Sequence, residues 1–510
     1  MKQKLGFIEQ LFHLPLFLLV FGLASVLMLI PASYAGVLRE LATGRAFLYS
    51  GLLGIIIFVL ISMAHHGRMP GHGTLGPLMS LFSTFVFLPL ILAVPFYESL
   101  QTTSFFNSYI EMVSSITTTG ATLFDDPERL NRPLHLWRAL VGWMGGLIMW
   151  VAASAILAPL NLGGFEITAR AEPGRRAVGQ AQVGQSESRL KMVKIIGALF
   201  PIYFGLTWLL WALLWVSGDE SLVALCHAMS ILATSGISPV GGLTGESGIS
   251  GEVLMVLFML FALSRLTFSS DTVTSESGGI LHDPEFRIGM ALVIGVPSVL
   301  FLRHWLASFD VAAETTLIDA GRAFWGALFT VMSFLTTTGF SSNSWGDAQQ
   351  WSGLATPGLI LMGLCLMGGG VATTAGGVKL LRVFALYRNG RREMERLVHP
   401  SSISNADSMG KRLQKNGAFI AWIFFMLFAL SLAVVTILLA ASGASFEEAV
   451  VMAIASLSTT GPLLEMGGDT PIRIIELNSF AKSVFVSAMV LGRLETLAII
   501  ALLTPDLWRG

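Results

Sequence analysis

Ser333-Phe334-Leu335-Thr336-Thr337-Thr338-Gly339-Phe340, followed by Gly368-Gly369-Gly370-Val371-Ala372-Thr373-Thr374-Ala375-Gly376-Gly377-Val378-Lys379, is the stretch that decides the fold. The first piece is a short apolar segment that breaks at a Thr-rich loop closed by glycine. The second interrupts an apolar helix with small residues. Broken backbone at membrane depth is tolerated only where it is buried in protein or lines a water-filled path. Two breaks this close together read as a filter followed by a gate.

The first piece recurs. Ser115-Ile116-Thr117-Thr118-Thr119-Gly120 precedes it, Ala233-Thr234-Ser235-Gly236 is a weaker copy, and Ser458-Thr459-Thr460-Gly461-Pro462 is the fourth. The glycines fall at 120, 236, 339 and 461, a period of a little over one hundred residues. One structural unit used four times is the simplest reading.

Composition sets the solvent. The 510 residues are 54% hydrophobic and 12% charged, where soluble domains carry about 25% charged residues. Mean hydropathy is +0.71. The chain is therefore polytopic in a membrane, with lipid around it. A net charge of −1 gives no pull toward nucleic acid. Cys226 and Cys365 lack Cys-x-x-Cys spacing and read as free buried thiols. Lys2, Lys4 and the apolar run 14–30 imitate a signal peptide, but a second span follows at once, so a retained first helix is expected.

The expected fold is all-α. A two-helix hairpin occupies 1–68, with spans near 14–30 and 47–63. Four helix–re-entrant loop–helix units follow at 69–168, 169–287, 288–400 and 401–510, arranged with pseudo-fourfold symmetry around one pore. Their first legs are expected near 78–94, 192–216, 288–302 and 419–439. The second legs fall near 137–157, 253–268, 356–386 and 480–503. Between them the segments 105–116, 222–232, 323–335 and 446–457 are too short to span and read as re-entrant. Each would point its partly negative C-terminus at a Thr-Gly loop, which favours a cation. Basic residues crowd the connections between units: Arg170, Arg175, Arg176, Arg189, Lys191 and Lys194, then Arg388, Arg391, Arg392, Arg396, Lys411, Arg412 and Lys415. The stretch 217–251 has neither Lys nor Arg. Positive-inside asymmetry places those connections and the N-terminus in the cytoplasm and the Thr-Gly loops outside.

Carbonyl-lined filters replace an ion's hydration shell with backbone oxygens, and glycine lets a loop turn them inward. The filter set is Thr118, Thr119, Gly120, Thr234, Ser235, Gly236, Thr337, Thr338, Gly339, Thr459, Thr460 and Gly461. One glycine per copy predicts few coordination layers. The gate set is Gly368, Gly369, Gly370, Thr373, Thr374, Ala375, Gly376, Gly377 and Arg493. Arg493 interrupts an apolar final helix, and an intramembrane arginine is a functional candidate by default. Glu495, two residues on, points elsewhere on a helix. Lys482 is expected to snorkel, and Glu465 to sit in water near the outer mouth. His65, His66 and His72 read as a wet interfacial loop and not as a metal site. No His-Glu-x-x-His, nucleophile elbow or phosphate loop occurs, so an enzyme is not expected.

The chain resembles the Trk/Ktr/HKT superfamily of cation transporters, nearest the Trk branch. Arg170-Ala171-Glu172-Pro173-Gly174, Asp283-Pro284-Glu285-Phe286-Arg287, Glu395-Arg396-Leu397-Val398-His399-Pro400, Leu491-Gly492-Arg493-Leu494-Glu495 and Thr504-Pro505-Asp506-Leu507-Trp508-Arg509 carry the resemblance in order. It implies K+ as the transported ion, held at filter carbonyls, with no covalently bound cofactor. It also implies a homodimer in a bacterial inner membrane, a separate nucleotide-binding regulatory subunit, and Arg493 as an electrostatic barrier beside the gating loop. Gly120 argues for K+, since relatives with serine there admit Na+. A sodium-permeable member or a cation-coupled symporter is the alternative.

Overall fold

A computed structural model describes residues 14–65, 75–158, 185–243, 246–264, 283–307, 317–354, 356–399 and 415–495. Among them every regular element is helical. The hairpin consists of α1 (Leu16–Leu27) and α2 (Leu29–Val37), which make one span, and α3 (Leu41–His65). Then come α4 (Leu75–Val86) and α5 (Leu88–Leu100), again one span, followed by α6 (Phe105–Ile116) and α7 (Arg132–Ala152). The next group is α8 (Gln185–Val216), α9 (Ser221–Ala233) and α10 (Gly248–Met259). The third is α11 (Pro284–Ala307), α12 (Leu317–Leu335), α13 (Trp345–Ser352), α14 (Gly358–Met367) and α15 (Leu380–Val398). The last is α16 (Lys415–Ala441), α17 (Phe446–Leu457), α18 (Leu463–Met466) and α19 (Ser479–Leu494).

Local sequence explains where the short helices begin. Ser104 accepts from Asn107 N to cap α6, and Ser445 forms a capping box with Glu448 on α17. The helices after the corresponding loops, α7 and α19, each open on an asparagine cap, Asn131 and Asn478. These caps satisfy backbone donors that a helix start leaves free.

Seven helices among the described residues are long and apolar enough to cross a membrane. Their burial separates centre from rim. The segment Arg132–Leu157 is 89% buried inside the protein, whereas Leu41–Ala64 and Gly417–Ala441 are 17% and 22% buried. The latter two offer apolar side chains to lipid. α7 forms the middle, packed on α9 and α6.

Three expected second legs differ from full spans. The one near 253–268 is α10 plus a 3-10 turn ending at Leu263, the one near 356–386 stops at Met367, and the one near 480–503 stops at Leu494. In the latter two the stop has a visible cause. Gly368 (φ 69°) and Glu495 (φ 60°) leave helical geometry, and each does so next to the interrupted stretch 368–379. α13 was not anticipated. The segments 66–74, 159–184, 265–282, 308–316, 400–414 and 496–510 lie outside the described residues, and with them His66, His72, Arg170, Arg175, Arg176, Lys411 and Arg412.

Candidate functional site: four Thr-Gly loops and an interrupted helix

The four helices before the Thr-Gly loops end alike; three are 12 or 13 residues long, whereas α12 has 19 and begins at Leu317, six residues before the expected 323–335. The residue two before each glycine, Thr118, Thr234, Thr337 and Thr459, takes left-handed φ of 53°, 50°, 58° and 54°. That geometry is an outlier for a β-branched residue. In each copy the amide of the next residue reaches back five residues to a helix carbonyl: Thr119 to Ser114 (2.9 Å), Ser235 to Ser230 (2.9 Å), Thr338 to Ser333 (2.9 Å) and Thr460 to Ala455 (2.8 Å). This is a Schellman-type helix end with threonine where glycine usually stands. Hydroxyl pairs brace it in three copies: Thr117 with Thr119 (2.8 Å), Thr336 with Thr338 (3.1 Å) and Ser458 with Thr460 (3.2 Å). The second copy has Ala233 at the matching position and instead pairs Ser235 with Ser230 (3.2 Å).

The loops meet in chain order. Gly120 lies against the Ser235 carbonyl, Gly236 against that of Thr338, and Gly339 against Pro462. Gly461 N donates to Thr119 O (2.5 Å), which closes the circuit. Gly120, Gly236 and Gly339 have positive φ, but Gly461 does not; the proline after it accompanies a different turn. All twelve filter candidates are thus brought together and all are buried except Gly120, which is partly so.

Behind the first loop, Glu111 and Arg138 form an ion pair (2.6 Å) with side chains 1% and 5% exposed. Glu111 also accepts from Leu123 N (3.0 Å). A charge within an apolar half-helix was a sequence signal, but its partner lay on α7. Glu111→Ala would strand the Arg138 charge. A loss of about 3–5 kcal/mol is expected, read as a fall in thermal unfolding temperature in detergent, while Glu111→Ala with Arg138→Met recovers part of it.

The interrupted stretch lies directly against these loops. Gly376 N donates to Thr337 Oγ1 (2.8 Å), and Thr374 Oγ1 to Leu232 O (3.3 Å). A Cβ on Gly376 would run into the Ser458 carbonyl, so only glycine allows this approach. Anchors arrive from around it. Trp150 Nε1 donates to Ala372 O (2.9 Å), Glu285 accepts from Val371 N (3.2 Å), and Gly370 N donates to Ala262 O (3.0 Å). Arg493 Nη1 donates to Thr374 O (2.6 Å), and Lys379 Nζ donates to Ala375 O. The feet of the stretch are tied by Val378 N to Leu366 O (2.9 Å) and Lys379 N to Met367 O (3.0 Å). Gate candidates and Arg493 therefore share one site.

Arg493 is 4% exposed, and its Nε and Nη2 have no hydrogen-bond partner among the described residues. Glu495 turns away from it and pairs with Arg382 (2.7 Å), whose guanidinium lies over the Phe424 ring (3.5 Å). Lys482 does not snorkel. It is 8% exposed and bonds Ile475 O (3.0 Å) and Asn107 Oδ1 (3.3 Å), because the turn 474–476 carries a carbonyl to it. Both cysteines are buried and free.

Just past the fourth loop, Glu465 reaches the surface beside Asp125, with protein around its carboxyl still displacing part of the water. Desolvation, then the Asp125 carboxylate, raises the Glu465 carboxyl above the usual range. Desolvation also raises Asp125, with Arg473 opposing it. Both groups take up protons above the ordinary carboxylate range of about 4. On acidification they therefore lose negative charge at higher pH than ordinary carboxylates do, and any cation affinity that their charge supports is expected to weaken. Asp125→Asn with Glu465→Gln should flatten that dependence in uptake assays.

Apolar helices long enough to span, four loops meeting at one point and a pinned break against them have the arrangement of a membrane protein that passes small solutes. The family model described as TrkH, cation transport protein, matches residues 77–507. The chain belongs to this family. The Trk system potassium uptake protein TrkH of Vibrio parahaemolyticus is 31% identical over 410 residues, covering 79% of this chain and 80% of the relative. The protein of the same name from Escherichia coli K12 is 27% identical over 498 residues, covering 96% and 97%. The crystal structure of the potassium transporter TrkH from Vibrio parahaemolyticus superposes with a TM-score of 0.79 at 25% identity, covering 99% of this chain and 100% of the other.

Proposed function

We propose that this chain is the translocation subunit of a potassium-uptake system, passing K+ and Rb+ through a filter made by the four Thr-Gly loops. The observation that carries the reading is the closed circuit of loops 1, 2, 3 and 4, each with the same left-handed threonine two residues before its glycine. Hydroxyls in these loops bond back toward their own helices. Backbone carbonyls, with the Thr118 and Thr459 hydroxyls that bond nothing among the described residues, are then the groups left to replace an ion's water. The helix C-termini behind them add partial negative charge.

In this reading the units 69–168, 169–287, 288–400 and 401–510 surround one path, and 1–68 is an accessory hairpin. Residues 368–377 obstruct the path beneath the filter, and Arg493 holds that obstruction while repelling cations. The subunit works as a homodimer in a bacterial inner membrane, with its N-terminus and basic connections in the cytoplasm. A nucleotide-binding regulatory subunit meets those connections. A symport mechanism or Na+ permeation is the second reading. It finds less support, because Gly120 lacks the serine associated with Na+ passage.

The test is growth of a potassium-uptake-deficient bacterium on low potassium, with Rb+ uptake followed alongside. Rescue by the wild-type chain and failure of Gly339→Asp, at equal membrane abundance, is the expected result. Equal rescue by Gly339→Asp would exclude the loops as the path.

A further inference from the structure

The residue nine positions before each loop glycine is Glu111, His227, Thr330 or Met452. In three copies it straps the chain leaving its own loop. Glu111 accepts from Leu123 N (3.0 Å), Thr330 Oγ1 from Ser342 N (3.2 Å), and His227 Nε2 bonds Ser238 Oγ (3.1 Å). The histidine strap has an additional feature. Ser238 Oγ already donates its one proton to Gly242 O (2.8 Å). His227 Nε2 must therefore carry the hydrogen and donate to Ser238, which leaves Nδ1 of the neutral ring as an acceptor.

His227 is fully buried, and its Nδ1 has no hydrogen-bond partner among the described residues. It lines a cavity of about 10 Å3 together with Asp219, Ser247, Glu252 and Asn343. Asp219 is 3% exposed; its Oδ1 accepts from Ser247 N (3.0 Å), while its Oδ2 has no hydrogen-bond partner among the described residues. Glu252 is already engaged by Trp325 Nε1 (2.7 Å), Ser342 Oγ (2.8 Å) and Asn343 N (2.8 Å). Two buried acceptors thus line a space of one-water size, at about 10–15 Å3. A bare buried acceptor costs about 1–3 kcal/mol, and one molecule donating twice would satisfy both.

We infer that this cavity is a binding site for a single water molecule, donating to His227 Nδ1 and Asp219 Oδ2. His227 is then a positioning residue that fixes the second loop against the third. Its ring holds Ser238, two residues after Gly236, and meets edge-on Phe340, the residue after Gly339 (5.5 Å, 69°). Glu252 clamps Ser342 and Asn343 of the same third loop. Through these contacts the hydrated unit sets the spacing of two of the four loops, and so bears on K+ over Na+ discrimination. Among the described residues the other charges around the ring are engaged, Glu252 of the same cavity by Trp325, Ser342 and Asn343. Arg138 on α7 is taken by Glu111, α8 offers only Tyr203 over 195–216, and 336–344 carries no ionisable side chain.

This inference rests on the loops being the filter, and the test separates the two. In a high-resolution structure of the wild-type chain in lipid nanodiscs, a density peak within hydrogen-bond distance of both His227 Nδ1 and Asp219 Oδ2 is expected. An empty cavity, or direct His227–Asp219 contact without water, would overturn the site whatever the chain transports. In proteoliposomes, His227→Phe is expected to lower the K+/Na+ flux ratio by about threefold or more, the worth of one net hydrogen bond. His227→Gln retains a donor for Ser238 and should lose less. A folded His227→Phe protein with the wild-type ratio would overturn the positioning role. If that variant does not fold, the Gln variant and the wild-type density still decide.

Discussion

Gly120→Ser is expected to reduce K+ over Na+ discrimination by at least about tenfold, equivalent to about 1.4 kcal/mol. Gly120 holds φ at +73°, and a Cβ added there would overlap the Ser235 carbonyl oxygen of the next loop. An L-residue in this backbone region costs about 1–2 kcal/mol. Relief comes by moving one loop away from the other. Either loop then presents its carbonyls at a distance suited to a different ion. Ion flux from proteoliposomes in mixed K+ and Na+ reads the change. Gly120→Ala separates the causes. An equal loss with alanine assigns the effect to the Cβ, whereas a loss confined to serine assigns it to the hydroxyl. Unchanged selectivity in both, in folded protein, would remove the first loop from the filter.

Excising 370–375 is expected to raise flux at least about tenfold in the absence of any regulatory subunit. The bonds from Trp150, Glu285 and Arg493 to Ala372, Val371 and Thr374 all end on this piece. Its removal can close without distorting the helices, because 366 with 378 and 367 with 379 are already hydrogen-bonded across its base. Arg493→Gln is the companion that keeps chain length. It weakens the grip on Thr374 and deletes a buried positive charge. Two unit charges 4 Å apart interact by about 4 kcal/mol at an effective dielectric constant of about 20, so flux should rise here too. Normal flux through a well-folded deletion protein would sink the assignment of this stretch as a gate.

What was legible in the sequence is what is local. The half-length helices at 105–116 and 446–457 begin and end where hydropathy, a serine cap and the Thr-Gly break place them. The break at 368–377 follows from its glycines. Burial of Cys226 and Cys365 follows from apolar context; Glu495 does diverge from Arg493, but because the backbone leaves the helix at Glu495 and not through helical spacing. The short second legs were less legible, because an apolar run continues past the residue where the backbone leaves the helix.

Tertiary structure alone decided the rest. The sequence cannot say that threonine 118, 234, 337 or 459 takes left-handed geometry, since that conformation is held by a helix end packed against the adjoining loops. Nor can it say that the fourth loop closes on the first. Glu111 with Arg138, Arg382 with Glu495, Arg493 with Thr374 and Lys482 with Ile475 are pairings of buried polar groups. Each charge announced in the sequence that it needed a partner, because burial without one is costly. Which partner it found was fixed by which helix faces packed together, a matter of three-dimensional proximity that linear order does not encode.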